Sequence, residues 1–313
     1  MWLLARRILR DLRHAGFAAE EVRAVRRTPP MWAQLVDFYQ RGGRVERVEA
    51  TFSAATGQPG LIRFFCPPAP TACAHANFGA LAHELGHALQ YPPQWRPPGD
   101  FADAQAYARS RELGEAHAWL NQARLCRAKV GGTPEMAQVQ QIENDEDFGT
   151  RQVDLFAHIA EREAAGWSDA RILDELAVLN ANMFPSGMGE GNLKTYGQCN
   201  RWDWLQATQA DGSPFRRFIA QLPRAPHADD QKLLMKFNLF TQPDSNADTT
   251  LASLASALGG VCTRGDLPAL HALACQAMPY ARPGVAWACR PHQSHGADDA
   301  AVAQGGTMPR PWA

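Results

Sequence analysis

The segment His83-Glu84-Leu85-Gly86-His87 constrains this chain more than any other feature, because its spacing is a chemical device. Residues four apart lie on one face of an α-helix, so both imidazoles can reach a single divalent ion such as Zn²⁺. Glu84 then comes up beside the ion rather than onto it. From there it can take a proton from a metal-activated water and pass it to a leaving amine. The spacing predicts a helix from about Ala74 to Gln90, with Phe78, Leu81, Leu85, Ala88 and Leu89 as its apolar partners. Tyr91-Pro92-Pro93 stops it, since proline cannot continue a helix.

Around that helix the pattern predicts an α+β fold that is predominantly helical. Residues 1–40 read as amphipathic helices broken at Thr28-Pro29-Pro30. Arg44 to Ala54 and Leu61-Ile62-Arg63-Phe64-Phe65 read as two strands joined through Gly57-Gln58-Pro59-Gly60, an antiparallel hairpin packed on the metal helix. An exposed strand edge there could hold an extended peptide as one more strand. A long helix fits 103–128, and two more fit 151–165 and 168–182, while the acidic run 143–147 reads as a solvated loop. A glycine-rich loop spans Met183 to Gly191, and the segment from Asn200 to Ala210 carries Trp202 and Trp204. The tryptophans are read mainly as core. The expected organisation is N-terminal helices (1–40), a catalytic domain (41–240), a C-terminal helical extension (241–290, with helices at 249–258 and 266–277) and a disordered tail (291–313).

Composition narrows the classes. A net charge of −1 over 313 residues provides no global field to recruit nucleic acid. No run approaches the roughly 20 apolar residues of a membrane helix. The first residues do not form a cleavable secretory signal. The arginine-rich stretch up to Arg27 is read as a solvated helix face in preference to a targeting or membrane-surface segment. Cytoplasmic action is expected, or export without a cleavable signal, as for an effector. Seven cysteines, odd in number and without a C-x-x-C pair, argue for reduced thiols. A Cys66–Cys73 bridge is the less favoured reading.

A catalytic metal site needs a third protein ligand and an open fourth position. The helix at 103–128 offers Glu112 and Glu115. Glu115 is preferred, because Gly114, Ala116 and Ala118 would let its helix approach the metal helix closely; Glu112 stays open as the alternative. Either carboxylate in an apolar stripe must pair or coordinate.

His83-Glu84-Leu85-Gly86-His87 followed by Glu115-Ala116-His117-Ala118 resembles the gluzincin class of zinc metallopeptidases over roughly residues 44–128. It is similar to thermolysin-like peptidases, to bacterial proteases acting on transcriptional repressors, and to bacterial metallopeptidase domains with the same two motifs. The resemblance implies a zincin-like packing of sheet on metal helices and one Zn²⁺ held by His83, His87 and Glu115. It also implies Glu84 as general base and a protein or peptide as substrate. One departure stands out. Many relatives place Asp or Asn four residues after the third ligand to buttress a histidine, and here that position is Trp119. Asp100 and Asp103 are the candidates for that role. The metzincin pattern fails, since Gln90 stands where glycine is needed and no third histidine follows at 93.

An oxyanion donor is expected from outside the metal helices. Tyr196 is the first candidate and His158 the second, although for each a packed or surface role is the commoner one. His117, two residues from Glu115, points away from the metal, and His75 is a possible helix cap. Two competing functions remain: a regulatory or binding module whose metal is not catalytic, and a zinc amidase on cell-wall peptide.

Overall fold

A computed structural model describes residues 2–68, 73–131, 137–143, 150–183, 195–208 and 210–211. The expected domain limits at 240 and 290, the two late helices, the tail and most of the glycine-rich loop lie outside them. In chain order the elements are α1 (Trp2–His14), α2 (Ala19–Arg27), α3 (Pro29–Gln40), β1 (Arg44–Glu49), β2 (Ala54–Gln58), β3 (Leu61–Cys66) and α4 (Phe78–Leu89). Then follow α5 (Ala104–Arg127), β4 (Val139–Glu143), β5 (Thr150–Asp154), α6 (Leu155–Ala164), α7 (Asp169–Ala181) and α8 (Tyr196–Thr208). The fold is α+β and mostly helical.

The sheet differs from the expected hairpin. β1 runs parallel to β3, from Arg44 opposite Leu61 to Glu49 opposite Cys66. The antiparallel partner of β3 is β2, so the strand order is β1-β3-β2. The sequence Ala54-Ala55-Thr56-Gly57-Gln58 lacks the bulky alternation that announces a strand, and so it reads as a turn. Gly57 has a specific reason to be there. A Cβ on it would lie 2.3 Å from the Glu84 carbonyl oxygen, so only glycine lets this strand lie against α4. Pro59-Gly60 makes the turn, with Gly60 at φ +78°, a proline-then-glycine combination suited to type II geometry.

A second correction concerns residues 139–154. Instead of an early helix, Thr150–Asp154 forms a strand antiparallel to Val139–Glu143, and the helix begins only at Leu155; the acidic run expected as a solvated loop lies, from residue 144 on, outside the described residues. Asp154 sets that boundary: its Oδ1 accepts from the Phe156 and Ala157 amides as an N-cap, and from Gln138 across the hairpin. The metal helix likewise starts later than expected, at Phe78, because the Asn77 side chain caps it through the Ala80 amide. His75, the expected cap, instead hydrogen-bonds Ser53.

One apolar core joins all these pieces. Ile8 and Leu12 of α1 and Leu35 and Phe38 of α3 are sealed with Ile62 and Phe64 of β3, Leu81 and Leu85 of α4, Leu120 of α5 and Ile159 of α6. Each such side chain contributes about 1.5–3 kcal/mol on burial, so the N-terminal helices are held to the metal helix by the core itself. A disulfide joins Cys66, at the end of β3, to Cys73, just before α4, contrary to the expectation of reduced thiols. Fold proximity decides this pairing, which sequence spacing alone leaves open. No described helix is long and apolar enough to cross a membrane.

Candidate metal centre

α4 and α5 pack side by side, and residues on their facing sides make the site. Gly86, the fourth residue of the motif, faces Ala118 of α5. Asn121 crosses the seam and donates to the Ala82 carbonyl at 2.7 Å, fixing the register of the two helices. In that register His83, His87 and Glu115 converge. The two Nε2 atoms lie 3.1 Å apart, and each is 3.4 Å from a Glu115 carboxylate oxygen. A tetrahedral ion with bonds of about 2.0–2.1 Å separates its ligand atoms by about 3.4 Å, so the spacing fits such an ion. These three residues are placed to hold a metal ion.

The far nitrogens of both rings are engaged as well. His83 Nδ1 lies 3.2 Å from Gln122 Oε1, and His87 Nδ1 lies 3.0 Å from Gln94 Oε1. An amide oxygen can only accept, so each Nδ1 donates to its glutamine, which leaves Nε2 as the nitrogen of each ring whose lone pair can face a metal once its proton is displaced. Gln94 is itself buried in the short 3₁₀ turn Pro92–Trp95, where its Nε2 donates to the His87 carbonyl. Gly114 leaves room for it, since a Cβ there would fall 2.1 Å from Gln94 Oε1. Buttressing therefore comes from two glutamines. Of the expected candidates, Asp103 is the N-cap of α5 and Asp100 pairs with Arg96 at the surface. The signal for Gln122 was available, because it lies seven residues after Glu115 on the same helix face. Gln94, in a proline-bounded turn, carried no periodic signal at all.

Glu112 is excluded as a ligand by its own surroundings. It is fully buried on another side of α5, 3.5 Å from the equally buried Arg201 of α8, and it ties those helices together. Glu84 is buried beside the histidines, and its carboxylate accepts from the Gly57 backbone amide of β2. Burial pushes its carboxyl above the ordinary carboxylate range, although the neighbouring imidazoles and the Gly57 bond pull the other way. Burial alone would lower the His87 imidazole, yet the Glu115 carboxylate overrides it and raises the group to about 9 without metal. Glu115 is held well below its usual range; desolvation opposes this, and the two imidazoles win.

The site opens on a cleft of about 970 Å³ whose lining includes Ala55, Gly57, Trp95, Arg111, Trp119 and Tyr196. Tyr196, the first residue of α8, therefore shares the cleft with the metal residues. Its hydroxyl is pushed up to about 12 by burial and by the Glu115 charge, so it stays a proton donor at neutral pH. His158 is placed elsewhere, its Nε2 lying 3.1 Å from a Glu175 carboxylate oxygen of α7. His117 does turn from the metal, and it stacks on Tyr91 rather than standing free in solvent. Trp119 packs edge-on to His83, with ring centroids 4.4 Å apart, so it walls the site.

No protein-family model, curated protein or solved structure matches this chain. What the site does must be argued from its own geometry.

Proposed function

We propose that the protein is a zinc-dependent peptidase, and the observation that carries this reading is the pairing of an open donor set with a buried base. Among the described residues three protein ligands face the cleft, which is the composition of a catalytic zinc site; structural sites use four. Zn²⁺ held there would supply Lewis acidity to a water molecule and to the scissile carbonyl. Glu84, buried beside the two histidines, would accept the proton of the attacking water and deliver it to the departing amine. Hydrolysis breaks the C–N bond, forms a C–O bond from water and moves the proton to nitrogen. Tyr196, neutral at physiological pH, is the donor assigned to the developing oxyanion.

β2 supports a peptide substrate. It is an edge strand with β3 on one side only, and Ala54, Ala55, Thr56 and Gly57 line the cleft. Alternation places the Ala55 backbone groups on the same outward edge as the Gly57 amide, where an extended chain could pair with them.

Glu84→Gln tests the reading, because glutamine keeps the acceptor for Gly57 but cannot take a proton. Metal analysis should find one zinc in both proteins. Mass spectrometry of a peptide library should find cleavage by the natural protein and a loss of at least about a hundredfold in the variant. Equal cleavage by both, or a natural protein that takes up no metal, would refute it.

A further inference from the structure

Among the described residues, one cation lining the cleft has no carboxylate partner. Glu21 and Lys129 pair with each other at 3.4 Å, the two histidines face Glu115, and Glu84 accepts from Gly57. Arg111 is different: among the described residues no carboxylate engages it, and its Nη1 donates to a neutral group, the Gln94 carbonyl, at 3.1 Å. The guanidinium lies over the Trp95 ring, 5.4 Å from its centroid. Those two contacts hold the plane of the group and leave the Nη2–Nε edge for another acceptor. That edge is the part of arginine that takes a carboxylate with two parallel hydrogen bonds.

Its position relative to the metal residues is set by the helix. Arg111, Glu115, Trp119 and Gln122 follow one another along one face of α5, and all four line the cleft. Arg111 therefore starts four residues, about 6 Å along the axis, from Glu115. An extended peptide advances about 3.4 Å per residue. The guanidinium carbon and the His87 ring centre lie 5.4 and 6.4 Å from the same Trp95 ring, so a carboxylate seated on Arg111 lies within about three residues of a peptide bond presented to His83, His87 and Glu115.

Resting on the peptidase reading of the site, we infer that Arg111 is a specificity residue that selects peptides bearing a carboxylate within about three residues of the cleaved bond. A free C-terminus and an Asp or Glu side chain supply the same chemistry. The Trp95 ring under the guanidinium supplies an apolar wall to this position.

The test uses zinc-loaded protein of full length. Fluorescence anisotropy on the Glu84→Gln variant measures binding of a labelled peptide as free acid and as C-terminal amide, and with an internal Glu or its Gln counterpart. At least one acid-bearing form should bind about ten- to a hundredfold more tightly than its neutral partner, and which pair differs identifies the source of the carboxylate. Adding Arg111→Gln, which keeps a donor for the Gln94 carbonyl, should bring each pair to within about twofold; Arg111→Lys should retain part of the preference. Zinc content and circular dichroism of each variant show that the site is intact. If the glutamine variant fails to fold, the lysine variant and the peptide pairs decide. Cleavage by the natural protein with no preference for carboxylate overturns the inference and leaves the peptidase reading standing. A zinc-loaded protein that neither binds nor cuts any of these peptides overturns both.

Discussion

Gly86 and Ala118 touch backbone to backbone across the α4–α5 seam: a Cβ placed on Gly86 would come within 2.6 Å of the Ala118 Cα and 3.2 Å of the Asn121 Cβ. The absence of a side chain inside the metal motif is what brings Glu115 to the two histidines. Closest approach between two helices is set by the smallest residues at their crossing.

Gly86→Ala should therefore separate the helices rather than merely crowd them. Overpacking of this kind costs about 1–3 kcal/mol, which offsets any gain in helix propensity. Thermal denaturation should show a lower Tm, and competition with a chelator should show weaker zinc binding. A variant as stable and as tightly metallated as the natural protein would mean that the seam is not limiting.

Gln122 meets His83 through its amide oxygen, whereas Gln94 meets His87 Nδ1 and also supports the His87 carbonyl. Gln122→Leu should accordingly act on the metal first, reducing zinc affinity about ten- to a hundredfold while changing Tm of the metal-free protein little. Gln94→Leu should lower both. Chelator competition and metal-free calorimetry separate the two effects.

Zinc binding should depend steeply on pH. His87 is raised from 6.5 to about 9, so the metal-free site carries a proton at neutral pH that the ion must displace. Affinity should climb up to about tenfold per pH unit as pH rises toward 9, then level off. The sign for metal-free stability is the reverse. The His87–Glu115 pairing contributes fully below the ordinary imidazole value of 6.5 and is lost as pH rises through about 9. On the acid side, Glu115 has a depressed carboxyl, so its contribution is present above 4.5 and fades as pH falls below that. Calorimetry across pH 5 to 9 (roughly the range in which the imidazole titrates) in two buffers of different ionisation enthalpy would count the proton released. No released proton at pH 7 would contradict this.

The Cys66–Cys73 bridge closes a loop of sequence separation 7 between β3 and the start of α4. Loop-closure entropy for so short a ring amounts to about 2 kcal/mol. Reduction, or Cys73→Ser, should lower Tm by several degrees. Thiol counting under denaturing conditions, with and without reductant, reveals whether the bridge forms in purified protein. An unchanged melting curve after reduction would argue against its structural role.

Much of the centre was legible in the linear chain. The spacing of His83 and His87 matches the helical repeat, and Glu84 follows from the same arithmetic, since these are local facts about one turn of backbone. Glu115 was favoured over Glu112 because small residues flank it, and the close seam at Gly86 and Ala118 gives that preference its physical basis. The strand β2 was missed, because a run of Ala, Thr and Gly has no apolar rhythm and becomes a strand only by pairing with β3 and lying against α4. The same holds for the parallel course of β1, the Cys66–Cys73 bridge and the hairpin before α6, each of which depends on a partner distant in sequence or on chain direction. The sequence by itself determined which atoms can bind a metal and accept a proton, because helix periodicity is a property of neighbouring residues. Only the tertiary structure decided which carboxylate reaches them, which glutamines fix their tautomers and which strand edge borders the cleft, because those contacts are set where separate segments pack, and periodicity carries no information about packing partners.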